Sequence, residues 1–236
     1  MTPKISLLIL LLILFTWILM LSTKEEAAHV QRGSLNGLVE KRKNKGNVQL
    51  LKKVLGPRSS WDYYTKDAEE TLRRWNPVSV KVIFEFETQD NHFYYLVDSK
   101  RSRGKKREKK DRLWEFPGGR LDYGEQVGES LVRELNEEDP SLVLSNIFRQ
   151  NLSKQDSMTF KNIELKNGER HTLFKLQLPY QEWIELQSYW KNVKTYNQEV
   201  YEFTLLPLEY LDIKKSRFKV MWTPKSIKIL KSLKKS

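Results

Sequence analysis

Hydrophobic and polar positions divide the chain into three stretches. The first is Ile5 to Ser22, ISLLILLLILFTWILMLS, 18 residues without a charge. As a helix it extends roughly 27 Å, close to the hydrocarbon thickness of a bilayer. It predicts one N-terminal transmembrane helix within residues 1–22, a single-pass membrane anchor. A signal segment is the rival reading. Its apolar region would span about 7–15 residues before a small-x-small cleavage site. Here the run is longer and passes into Thr23, Lys24, Glu25 and Glu26 without such a site. The bases that follow, from Lys24 and Arg32 to Lys45, place the rest of the chain on the cytoplasmic side by the positive-inside rule. Cleavage would instead leave a secreted domain.

Residues 23–60 read as a basic tether, with Gly33, Gly37, Gly46 and little apolar periodicity. A short helix fits Val48 to Leu55, stopped by Gly56-Pro57. The folded domain is expected over 61–236. Val78 to Phe86 alternates as a strand, with Ser79, Lys81 and Glu85 on the face away from Val80, Val82 and Phe84. His92 to Val97 is its hairpin partner. Leu113-Trp114-Glu115-Phe116-Pro117-Gly118-Gly119 reads as a short strand ending in a turn. Glu125 to Glu138 fits a helix. Strands fit Leu144–Asn151, Thr159–Leu165, His171–Leu178 and Val200–Leu205, and Gln181–Trp190 fits a short helix. Thr223 and Pro224 open a terminal helix carrying Ile227, Leu230 and Leu233. Its five lysines suit either docking on the domain or a surface that touches lipid or RNA. The set predicts an α+β sandwich with a mixed sheet.

Composition narrows the chemistry. The chain has 236 residues, enough for one sizeable domain with appendages. It contains no cysteine, which excludes disulfides and thiolate–zinc sites. His29, His92 and His171 share no ligand spacing, so any metal is held by oxygen, which suits Mg²⁺ or Mn²⁺. The formal charge of +12 favours anionic partners. Residues 100–112 alone carry nine Lys or Arg against Glu108 and Asp111. Such a run is ordinarily a solvated loop. Its place before the Gly118-Gly119 turn also makes Lys105, Lys106, Lys109, Lys110 and Arg112 candidates for gripping a polyanionic substrate.

The expected central helix has a peculiar end. Val127, Leu131, Val132 and Leu135 form one apolar arc. Glu134, Glu137 and Glu138 share a face at i, i+3, i+4, on the margin of that arc. Clustered carboxylates repel, and burial beside apolar surface adds desolvation cost. They also oppose the helix macrodipole at a C-terminus. A divalent cation would neutralise them, and hard oxygen donors are what magnesium and manganese accept. An acidic, solvated helix end is the plain alternative.

The wider pattern, GRLDYGEQVGESLVRELNEEDPS over 119–141, resembles the Nudix box, G-x5-E-x7-R-E-U-x-E-E-x-G-U. Seven of its nine specified positions match at fixed spacing: Gly119, Glu125, Arg133, Glu134, Leu135, Glu137 and Glu138. Pro140 stands in place of the final Gly and Ser141 in place of the aliphatic residue, and Pro140 is expected to push Asp139 toward extended geometry. Trp114-x-Phe116-Pro117-Gly118-Gly119 resembles the family's approach to the box.

The resemblance implies a Nudix-type α/β/α sandwich. It implies hydrolysis of the pyrophosphate bond of a nucleoside diphosphate-linked or other polyphosphorylated substrate. It assigns Glu134, Glu137 and Glu138 as metal ligands together with the Gly119 carbonyl. Arg133 would hold the glutamates, and Glu125 would support the loop or a second metal. The general base would be a box glutamate or a distant carboxylate such as Glu199 or Glu202. Substrates consistent with the charge include an RNA 5′ end, a dinucleoside polyphosphate, a diphosphoinositol polyphosphate and a plain nucleotide. Tyr94, Tyr95 and Trp114 are candidates to stack a base or to fill the core. The alternative is a catalytically silent module of the same fold that binds RNA or acidic lipid through its basic loop. The intact glutamates favour the enzyme.

Overall fold

The computed structural model describes residues 46–234, apart from 66, 91, 101–112, 153, 155, 156, 191–199, 216–218 and 220 and the side chains of Lys100 and Tyr201. The segment expected to cross a membrane and the basic loop therefore lie outside the described residues. Among the described residues no helix is long and apolar enough to cross a membrane.

Residues 47–55 are helical (α1). Then come β1 (Asp62–Tyr63), α2 (Ala68–Trp75), β2 (Ser79–Glu87), β3 (Phe93–Lys100) and β4 (Leu113–Glu115). The helices α3 (Val127–Glu138) and α4 (Val143–Leu152) follow. The chain continues through β5 (Met158–Glu164), β6 (Arg170–Pro179), α5 (Tyr180–Trp190), β7 (Val200–Pro207) and α6 (Pro224–Leu233).

The strands form one mixed sheet in the order β1-β5-β6-β2-β3-β4, with β7 also on β3. β2 and β6 run parallel, and the other pairs are antiparallel. β7 occupies one edge of β3 from Tyr94 to Lys100, so β2 and β4 share the other. β2 pairs at Phe93–Tyr95 and β4 at Asp98–Lys100. Between them the sheet splits. There the segment 117–121 lies along β2: Val80 N–H donates to the Gly119 carbonyl, Val82 N–H to that of Pro117, and Leu121 N–H to that of Val78.

Both faces of the sheet are covered. One core packs α2, α3, α4 and α5 against Val80, Val82, Phe84 and Phe174. The other packs α1 and α6 against Ile83, Tyr95, Val97 and Leu173. β2 is therefore buried on both sides. Ser79, Lys81 and Glu85, set by alternation on a second face, are buried too, since α1 and α6 cover that face.

Most expected elements are present, with three corrections. The compact unit starts at Asn47 rather than near Trp61. Leu51, Val54 and Leu55 of α1 fill the second core, and Trp61 Nε1–H donates to the Leu55 carbonyl. Leu144–Asn151 is helix, not strand. Leu144, Ile147 and Phe148 recur at helical spacing, and Asp139 supplies the start: its Oδ2 accepts from Leu144 N–H at 3.0 Å. Finally, α2 has no counterpart among the expected elements. Glu69 and Glu70 in its first turn and Arg73 and Arg74 in its last complement the helix dipole. Asn76, at φ 53°, ends it in a left-handed cap.

Candidate active site at the split of the sheet

α3 is held at both ends by acidic side chains. At its start Gln126 makes no side-chain cap bond. Glu69 of α2 does this work instead, accepting from Val127 N–H at 3.1 Å and Gly128 N–H at 2.8 Å. Tyr64 donates its hydroxyl to the same carboxylate at 3.0 Å. Burial, then the Glu69 charge, raise the Tyr64 phenol well above its ordinary value, so it remains a donor. At the far end Asp139 is extended, as Pro140 requires, and buried. Its Oδ1 accepts from Ser141 N–H and from Trp190 Nε1–H, both at 3.1 Å. Asp139, just ahead of the two positions that depart from the box, thus joins α3 to α4 and α5.

The glycine turn is fixed by contact. Gly118 has φ 115°, and a Cβ there would lie 2.5 Å from the Val80 carbonyl oxygen. A Cβ on Gly119 would lie 1.9 Å from Glu134 Oε2, so only glycine lets this backbone meet that carboxylate. Beneath the turn runs buried Lys81. Its Nζ donates to the carbonyls of Phe116 at 2.9 Å and Gly118 at 3.0 Å and pairs with Glu115 at 2.6 Å.

Arg133 organises the carboxylates. Its Nε and Nη2 reach both oxygens of Glu125, at 3.0 and 3.1 Å. Its Nη1 donates to Glu134 Oε1 at 2.9 Å and to Glu137 Oε1 at 3.0 Å. Nη2 also donates to the Arg120 carbonyl at 3.0 Å. These charge-assisted bonds, led by Glu125, hold the guanidinium even more firmly protonated than usual. The Arg133 bond likewise holds the Glu125 carboxyl below its ordinary range, against a smaller upward push from burial.

The three glutamates are neighbours, but they do not meet at one point. Glu138, 3% exposed, accepts from Gly118 N–H at 2.8 Å. The Glu137 side chain is 57% exposed and shares Arg133 with Glu134. Among the described residues no three acidic or histidine side chains form a ready metal cluster. Like charges repel, and each carboxylate takes the nearest N–H donor.

The donor set still suits a hard divalent cation. It is all oxygen, it lies on a rigid helix, and Glu134 sits where a Cβ on Gly119 would be. The Gly119 carbonyl uses one lone pair on Val80 N–H and retains another.

Other expected residues fall elsewhere. Lys105, Lys106, Lys109, Lys110, Arg112 and Glu199 lie outside the described residues. Glu202 is exposed on β7, opposite Ser99. Tyr95 is a core residue, fully buried with its hydroxyl on Glu85 at 2.8 Å, and offers no face to a base. Trp114 packs on Tyr210 and Trp222, and Tyr94 on Tyr180. Glu69 carries no expectation from the sequence, while Lys81 and Asp139 are expected there only as a strand residue and as the position ahead of Pro140. The one signal available was Asp139-Pro140-Ser141 ahead of an apolar helical period, a helix start.

The family model of the NUDIX domain matches residues 75–171. No curated protein sequence matches the chain. Solved structures similar to it include an Ap4A hydrolase from C. elegans, at 11% identity and TM-score 0.34, covering 61% of this chain and 92% of that one. A mutT/nudix family protein from Listeria innocua aligns at 14% identity and TM-score 0.38, over 66% and 88% of the two chains. A bifunctional NMN adenylyltransferase/ADP ribose pyrophosphatase from Francisella tularensis, complexed with AMP and a Mn ion, aligns at 14% identity and TM-score 0.38, over 70% and 46%.

Proposed function

From the premise that this chain is a member of the Nudix family and a Nudix pyrophosphohydrolase, we propose that it is divalent-metal-dependent and acts on a polyphosphorylated, nucleotide-like substrate. The carrying observation is the contact of Glu134 with Gly119, fastened by Arg133 to Glu125 and Glu137.

Glu134, Glu137, Glu138 and the Gly119 carbonyl would hold Mg²⁺ or Mn²⁺. A bound ion supplies neutralisation of phosphate charge and a water of lowered pKa. The chain's own part is positioning. Arg133 holds Glu134 and Glu137 within one helical turn. Gly118 N–H orients Glu138. Lys81 fixes the carbonyls of the turn from below. A glutamate not engaged as a ligand would take the proton of an attacking water. The charge over 100–112 supports a substrate with several phosphates, an RNA 5′ end among them.

The test is phosphate release with Mg²⁺ or Mn²⁺ across nucleoside diphosphate derivatives, dinucleoside polyphosphates, RNA 5′ ends and inositol pyrophosphates. Glu138→Gln keeps an acceptor for Gly118 N–H, so the fold should persist while turnover falls by about 10² or more. Unchanged turnover in that variant removes Glu138 from the site. The apolar run over 5–22 supports a membrane anchor. Alkaline extraction should leave the full chain in the membrane fraction, and recovery in the supernatant would refute an integral anchor.

A further inference from the structure

Along the loop 120–125 lies a cleft of about 1090 Å³ whose lining includes none of Glu134, Glu137 and Glu138. Its wall includes Arg73 at the end of α2, Arg120 beside Gly119, and Lys225 and Lys228 in the first turns of α6. None of these four cations is ion-paired among the described residues. The acidic groups of the wall are largely committed: Glu125 holds Arg133 with both oxygens, and Asp122 lies 3.5 Å from the same guanidinium. Glu169 is the remaining carboxylate.

His171, 1% exposed, also lines the cleft. Its Nδ1 is 2.7 Å from Ser79 Oγ, while its Nε2 is buried without a hydrogen-bond partner. The nearest carboxylate, on Glu169, is 3.7 Å away, past hydrogen-bond reach. In the tautomer where Ser79 donates to Nδ1, Nε2 carries the proton and is a buried donor that an anion can satisfy. A buried donor of this kind is costly unless something accepts from it. The opening of α6 adds to the same field: Pro224 stands at its first position, and the positive end of the helix dipole lines the cleft.

We propose that this cleft binds a phosphate group, a second anion site separate from the glutamates. His171 Nε2–H and the side chains of Lys225, Lys228, Arg120 and Arg73 would supply its contacts. Its use rests on the hydrolase reading: the site takes a phosphate of a soluble polyphosphate substrate. Lipid phosphate is the competing source.

Calorimetric titration of the full chain with tripolyphosphate, in EDTA so that no divalent ion contributes, tests it. Lys225→Gln with Lys228→Gln should weaken binding by about tenfold or more. Arg120→Gln, an exposed change, should weaken it in the same direction. Glu134→Gln, which alters the glutamates only, should leave it unchanged. The ¹⁵N resonance of His171 Nε2 should shift on saturation. Absent binding, equal affinity in the lysine variant, or binding confined to phosphatidate vesicles would overturn the proposal. Hydrolysis of a nucleotide substrate with Mn²⁺, measured in parallel, separates the two readings. Retained turnover with no tripolyphosphate binding defeats the cleft alone.

Discussion

At the residue scale, two adjacent glycines do different work. Gly118 is pressed against backbone at positive φ, so Gly118→Ala strains the turn and should destabilise by about 2–4 kcal/mol, read as a lowered Tm. Gly119 is pressed against the mobile end of a side chain. Gly119→Ala should displace the Glu134 carboxylate and cut turnover by about tenfold or more with little change in Tm. Sequence spacing brings Gly119 and Glu134 to the same motif. Their contact, which makes the glycine necessary, appears only when 117–121 zips along β2. Lys81 illustrates the limit of alternation. The pattern sets it on a second face of β2, but nothing local says that α1 and α6 cover that face and make it an internal cation paired with Glu115.

At the element scale, α3 was legible because its apolar arc and its acidic face are both written in one helix period. Its supports were not legible, since they come from distant segments: Glu69 lies 58 residues from the Val127 amide it caps. Glu69→Ala should loosen the start of α3 and cost about 1–2 kcal/mol. α4 replaces the strand expected over Leu144–Asn151, because Leu144, Ile147 and Phe148 recur at helical spacing. Asp139 decides between the periods by capping a helix. Asp139→Ala leaves the Leu144 and Trp190 donors without their acceptor and should cost about 2–3 kcal/mol in chemical denaturation.

At the scale of the whole molecule, acid should loosen the domain in two steps. Burial, together with the charge of Lys225, pushes the His171 imidazole down to about 4. It is neutral when folded and binds a proton more readily when unfolded. Its contribution is therefore complete above pH ~6.5 and is lost as pH falls toward the folded value. Tm should decline over that window, and His171→Gln should flatten that part of the profile. Asp212 fastens α1 and α6 together through Lys53 at 2.8 Å and Lys234 at 3.2 Å. Burial alone would raise its carboxyl, but those two lysines outweigh it and bring it to about 2. Being depressed, it stabilises above its ordinary carboxyl range and loses that effect only as pH falls toward 2.

Metal dependence, as proposed, requires that α3 and the Gly119 turn together take up a divalent cation. Manganese binding to the full chain, followed without substrate by electron paramagnetic resonance, tests this most directly. Tight uptake by the natural chain, weakened by about tenfold or more in the Glu134→Gln, Glu138→Gln double variant at unchanged Tm, is the predicted result. Equal uptake by both proteins, or none by either at millimolar manganese, would contradict it.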